Sequence, residues 1–207
     1  SLHDALPISF EALTIQGAGS DSDERQPYSR EELQQVLKAA TTVDDERRRI
    51  VIILALTGAR LAEVVGLRKQ DIDLDAAMIS LQPHDGRSLK TGSSSRIVPL
   101  LPLALEAARK QMEKSHSDFL FPSYASKAGT KADSASAALN KWARSIAPGK
   151  SMHSFRHSMR DQLRAALCPE AIAKEICGWS ATRDASVGYG YGYPLEEKRN
   201  WLARAYA

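Results

Sequence analysis

The sequence predicts a mainly α fold of the α+β kind, a helical domain carrying one small antiparallel sheet. Three observations carry that prediction. Apolar residues recur at helical spacing over most of the chain, the pattern shortens to strand-like runs only between Asp71 and Leu100, and polar turns at Gly86 and Gly92 divide that interval.

The elements follow in order. Ser29 and Glu32 stand in capping-box spacing ahead of Leu33, Val36 and Leu37, which fall on one helical face and mark a helix start. A second helix is expected over about 46–57 and a third over about 61–69. "DIDL", "AMISLQ" and "SRIVPL" read as three short strands. The helical period returns in "PLALEAARKQMEK", and "DFLFPSYASKAGTKAD" reads as a loop from its Gly, Ser and Lys content. Helices are then expected over 134–147, 154–167, 169–177 and 194–205, with no internal repeat.

Ahead of Ser29 the chain reads differently. Ser1 to Ile8, "SLHDALPI", lack the charged and apolar regions of a signal peptide and match the translation of a common short-read sequencing adapter. We read residues 1–8 as adapter-derived and non-native, and residues 9–28, with "GAGSDSDERQP", as a linker. The folded domain is expected to cover 29–207.

Composition narrows the function classes. With 43% hydrophobic and 26% charged residues the chain has the balance of a globular protein, and its longest apolar run, Ile50 to Leu56, is far too short to span a bilayer. A net charge of +3 and a pI near 8.9 permit a polyanionic partner without requiring one. Cys168 and Cys177 are the only cysteines and sit in apolar, helix-like sequence, so two buried reduced thiols and a reducing cytoplasm are expected. Five scattered histidines with no clustered ligand spacing argue against a zinc site.

Several residues stand out chemically. In "LTGARLAEVVGL" Arg60 lies where an apolar helix gives way to the next; its planar fork suits a phosphate, and Glu63 one turn on is placed to hold it. Taken alone, that segment reads better as a plain structural salt bridge between the two. Lys90 falls in the turn of "HDGRSLKTGSSSRIVPL", where it is either solvated or able to reach a leaving oxygen and protonate it. In "SMHSFRHSMRDQL" His153 and Arg156 mark a helix start, where a phosphate would meet free N–H groups, the positive dipole end, an imidazole and a guanidinium. His157 and Arg160 read as an ordinary solvated face. Trp179 follows a glycine that ends a helix, and its indole N–H is a donor in an otherwise core-like residue.

These segments occur in the order arginine, lysine, His-x-x-Arg, indole, tyrosine. That order resembles the catalytic domain of the tyrosine recombinases, the phage-integrase family, through "TGARLAE", "LKTGSSSRIVPL", "HSFRH", "CGWS" and the tyrosine stretch, spanning about Tyr28 to the C-terminus. The resemblance implies an integrase catalytic-core-like fold and site-specific DNA recombination or integration through a 3′-phosphotyrosyl intermediate, without metal, cofactor or ATP. It implies Arg60 and Arg156 on the scissile phosphate, Lys90 as general acid, His153 assisting proton transfer, Trp179 donating to a non-bridging oxygen, and Glu63 supporting them. Most members have histidine where this chain has Trp179. It further implies double-stranded DNA and other protomers of a DNA-bound tetramer as partners, a cytoplasmic, nucleoid-associated protein that is bacterial or phage-encoded, and an N-terminal core-binding domain that is expected to be missing from residues 1–28.

The nucleophile is expected in "SVGYGYGYPLEEKRNW". In the family it falls nine or ten residues beyond the His/Trp position, commonly before a glycine, and ten from Trp179 gives Tyr189. Tyr191 is the alternative, Tyr193 beside Pro194 suits a packing role, and Tyr206 is a poor candidate. The final stretch, "LEEKRNWLARA", reads as an amphipathic helix that docks either on its own domain or on a neighbouring protomer. Two other functions remain open: a non-catalytic DNA-binding fragment derived from an integrase, and a type IB topoisomerase-like enzyme sharing the chemistry.

Overall fold

The structure, a computed structural model, describes residues 26–85, 87, 95–179 and 192–207. Eight helices and two small sheets lie among the described residues. The first helix, α1 (Arg30–Val43), starts where the sequence places it: Ser29 accepts the Glu32 N–H at 3.2 Å, and the Glu32 carboxylate accepts the Ser29 N–H at 2.8 Å. Helix α2 (Glu46–Thr57) is capped by the Asp45 carboxylate and closed by Gly58 in the left-handed region.

Helix α2 is buried on every face from Arg49 to Thr57, which explains why its apolar run shows little amphipathic period. It packs on α1, on α4 (Pro102–Lys114) and on α6 (Ser154–Ala165). Burial of Arg49 among these helices is offset by Asp44 at 3.0 Å and Gln111 at 3.0 Å. Tyr28 closes the entry to the domain, its ring stacked on Phe155 at 4.4 Å and its N–H donating to Ser158 Oγ at 2.7 Å.

Where a third helix was expected over about 61–69, the chain forms α3 (Leu61–Val65) and then a separate 3₁₀ turn, Lys69–Asp71. Gly66 sits between them, and the Asp71 carboxylate accepts the Arg68 N–H at 2.9 Å, starting the turn as a side-chain cap. The three expected strands pair antiparallel as β1 (Ile72–Asp73), β2 (Met78–Leu81) and β3 (Arg96–Pro99), in sequence order. Within the expected loop, β4 (Ala125–Ser126) and β5 (Gly129–Thr130) make a minimal hairpin.

Helices α5 (Ala132–Arg144), α6, α7 (Glu170–Cys177) and α8 (Leu195–Tyr206) complete the chain within a few residues of the expected bounds. Of the two arrangements open for the last helix, this structure has α8 on its own domain, packed against α6 and β3. Both cysteines are free; Cys177 is buried as expected, while Cys168 is only half-buried. No helix among the described residues is long and apolar enough to cross a membrane.

Candidate active site

Two glycine turns frame the site. Gly58 ends α2 at φ 61°, its N–H donating to the Leu54 carbonyl, and a Cβ there would lie 2.8 Å from Met159 Cγ. The turn therefore needs glycine for conformation and for space. Arg60 follows as the N-cap residue of α3. Its N–H donates to Glu63 Oε2 at 2.8 Å and its guanidinium to Glu63 Oε1 at 2.7 Å, so the pair read from the sequence forms. The two differ in access: the Arg60 side chain is 25% exposed and that of Glu63 only 4%.

Helix α6 supplies the next two residues, and they part company in depth. His153 is the exposed N-cap residue, its ring edge-on at 5.0 Å to that of the half-buried His157. Arg156 is buried. It donates to the Gly58 carbonyl at 2.9 Å and to the Gly178 carbonyl at 3.4 Å, joining the turn that ends α2 to the turn that ends α7. The supply of free N–H groups expected at this helix start is smaller than the sequence suggests. His153 is already helical, and the N–H groups of Ser154 and Arg156 donate to Ser151 and His153 at 3.0 Å each.

Trp179 comes directly after Gly178, which closes α7 at φ 64°. Its ring centroid lies 5.6 Å from the Arg156 guanidinium carbon, a cation–π distance, and it packs against the edge of the core.

Arg96 lies within the segment "LKTGSSSRIVPL" but was given no role there, yet it belongs to this group. Ile79 and Leu81 of β2 are buried, and they stand opposite Val98 and Arg96, so pairing turns Arg96 inward and Ile97 out to 39% exposure. Inside, Arg96 donates to Glu63 Oε2 at 2.9 Å and Oε1 at 3.3 Å, and its Nε to the Ile176 carbonyl at 3.0 Å. A charged residue alternating with apolar ones in a short strand was the available signal.

The electrostatics follow from this packing. Burial pushes the Arg156 pKa down to about 10, and repulsion from Arg60 and Arg96 adds to the shift. It remains a cation at neutral pH. Burial alone would raise Glu63, but hydrogen bonds and charge from Arg96, then from Arg60, hold its carboxyl below the usual range. Two guanidinium groups thus share one carboxylate while Arg156 lies close enough to be repelled by both, leaving a positive excess in a partly desolvated place. Burial also lifts the Cys177 thiol to about 12, keeping it protonated beside Arg156.

Lys90, Tyr189 and Tyr191 lie outside the described residues. Tyr193 is described, and its expected packing role is corrected: the side chain is 39% exposed, and the residue is tied through its N–H, which donates to Glu175 Oε2 at 2.9 Å. Tyr206 is half-buried, with its hydroxyl bonded to the Ala55 carbonyl and its phenol pKa raised by desolvation. Among the described residues no group of three His, Cys, Asp or Glu is placed to hold a metal ion.

The profile of the phage integrase family matches residues 28–189, which covers most of the chain. The chain belongs to the phage integrase family. Solved integrase-family structures share its fold at low identity. The integrase of mycobacterium phage Brujita superposes with a TM-score of 0.63 at 18% identity, covering 87% of this chain and 57% of that one. XerA recombinase gives 0.58 at 16% identity, over 86% and 63% of the two chains. The Tn1549 transposon integrase in complex with circular intermediate DNA gives 0.59 at 16% identity, over 87% and 65%. This integrase-family chain therefore spans less than two thirds of the length of these neighbours. Comparison with curated proteins returned no match.

Proposed function

We propose that this chain is the strand-transferring domain of a site-specific DNA recombinase, cutting and rejoining double-stranded DNA through a 3′-phosphotyrosyl intermediate. The observation that carries the reading is the convergence of Arg60 and Arg156. They are far apart in sequence, yet Arg60 depresses the pKa of Arg156, and Arg156 bridges the turns before Arg60 and Trp179. The neighbours' DNA complexes support the choice of substrate class.

The chemistry follows from the charges. A scissile phosphate entering between Arg60 and Arg156 brings negative charge to two cations that repel each other, and the phosphorane-like transition state carries more negative charge on its non-bridging oxygens than the diester does. The cations are already fixed by Glu63, Gly58 and Gly178, so little reorganisation accompanies the reaction. The Trp179 indole N–H donates to a non-bridging oxygen. Tyr189 attacks phosphorus as its hydroxyl proton passes to the His153 imidazole, the bond to the 5′-oxygen breaks, and Lys90 protonates that oxygen. The phosphotyrosyl bond retains the energy of the diester, so a 5′-hydroxyl can reverse the step on a new strand. Exchange of strands requires further protomers on the DNA, in a tetrameric assembly in the cytoplasm of a bacterium or phage-infected cell.

The test is covalent capture on nicked duplexes of randomised sequence, with the nucleotide-bearing residue mapped by mass spectrometry. The expected result is an adduct on Tyr189 that disappears in Tyr189→Phe. An adduct on Tyr191 keeps the chemistry and moves the nucleophile. DNA binding with no adduct, persisting after an N-terminal core-binding domain is supplied, reduces the chain to a DNA-binding module.

A further inference from the structure

Arg96 has no part in the steps above, yet its side chain joins elements that carry them. It stands at the start of β3, just after the segment that holds Lys90. Its fork grips Glu63, which sets Arg60, and its Nε holds the Ile176 carbonyl in the last turn of α7, ahead of Trp179. We propose that Arg96 is a positioning residue that fixes the Glu63 carboxylate, and through it Arg60, relative to the α7 end that bears Trp179. The inference rests on the strand-transfer reading of the site.

The hydrogen-bond pattern around Glu63 is the reason. Oε1 accepts from the guanidiniums of Arg60 at 2.7 Å and Arg96 at 3.3 Å, while Oε2 accepts from the Arg60 N–H at 2.8 Å and Arg96 at 2.9 Å. Those four donors occupy the acceptor positions a carboxylate has, so its plane cannot turn without breaking bonds to both arginines. The terminal torsion of a glutamate is otherwise broad. With Arg96 absent, only the two Arg60 donors hold the carboxylate, and Glu63 and Arg60 can shift together as a pair relative to the α7 end.

A simple structural ion pair would not need this geometry. An arginine side chain only 2% exposed, on the same strand face as Val98 and opposite Leu81, takes a place where an apolar residue would avoid the desolvation cost. The backbone also shows close fitting to the guanidinium. A Cβ on Gly178 would lie 2.7 Å from one Arg96 terminal nitrogen and 2.9 Å from its guanidinium carbon, so the group lies against the turn that delivers Trp179. Lysine supplies one point charge and cannot serve both carboxylate oxygens and the Ile176 carbonyl at once.

The experiment is a double-mutant cycle of Arg96→Lys with Arg60→Ala, read in equilibrium DNA binding and in the rate of covalent adduct formation on nicked duplex. In the unsubstituted chain Arg60→Ala is expected to weaken both by about tenfold or more. In the Arg96→Lys background it should change each by less than about twofold, because Arg60 is already misplaced. Equal losses from Arg60→Ala in the two backgrounds overturn the proposal, since a residue that only stabilises the fold gives additive effects. If Arg96→Lys does not fold by circular dichroism, the uncharged Arg96→Gln enters the same cycle; failure of both to fold assigns Arg96 a purely structural role and overturns the proposal. If the unsubstituted chain binds DNA without forming an adduct, strand transfer fails while the binding arm still decides Arg96. Absence of DNA binding overturns both.

Discussion

The hydroxyl of Tyr206, at the end of α8, donates to the carbonyl oxygen of Ala55, in the last turn of α2. Carbonyls in a last turn lack an intrahelical partner. The N–H that would ordinarily serve Ala55, that of Ala59, donates instead to Thr57 Oγ1 at 3.3 Å. The end of the chain therefore completes the C-terminus of the central helix. Tyr206→Phe keeps the ring and removes the donor, and should lower stability by about 1–3 kcal/mol in urea unfolding.

The turn between α2 and Arg60 is tighter than any side chain allows. Gly58→Ala would set its Cβ 2.9 Å from Met159 Cβ while keeping φ near 61°, so α6 must shift and carry Arg156 with it. The expected loss is about 2–4 kcal/mol, combining the left-handed conformation with overpacking. Thermal unfolding of the variant checks it, and an unchanged midpoint would contradict this packing.

Glu63 gives the fold an acid-sensitive contribution of known sign. Its folded pKa lies below the ordinary glutamate value of 4.5, so the carboxylate binds protons less readily in the folded state. That contribution is fully present above about pH 4.5 and is lost as pH falls through the folded value. Melting temperature followed from pH 7 to pH 3 should drop more steeply for the unsubstituted chain than for Glu63→Gln. Parallel curves would contradict it.

Glu175 holds the chain as it enters α8. Its carboxylate accepts the Tyr193 N–H at 2.9 Å and lies 3.7 Å from Lys198, whose side chain is 7% exposed. Glu175→Ala leaves that ammonium without this partner and should cost about 1–3 kcal/mol of stability. It should also raise hydrogen exchange at the Tyr193 amide, which mass spectrometry can follow.

DNA affinity should depend on salt through the guanidiniums of the proposed site. Each phosphate neutralised adds about 0.9 to the slope of log K against log salt. Arg60→Ala should therefore reduce that slope by about one while weakening binding to all duplexes alike. Fluorescence anisotropy between low and moderate salt measures it; an unchanged slope would place Arg60 off the DNA backbone.

The sequence by itself determined the helices and the family. Caps and periods are local: Ser29 with Glu32, Asp45 before α2, and the glycines at 58 and 178 act through neighbours a few residues away, so their effect can be read along the chain. The spacing of Arg60, His153 and Arg156 was legible for the same reason, as was the Arg60–Glu63 pair, which closes within one turn. Tertiary structure decided the rest. Arg96 faces inward because strand pairing obliges it to share a face with Leu81, a constraint set by the partner strand. The burial of Arg156, its hold on two distant carbonyls and its repulsion by Arg60 arise only when α2, α6 and α7 meet. Local signals name the residues; long-range packing sets which of them share a charge environment, because desolvation and Coulomb coupling depend on distance in space and not on distance along the chain.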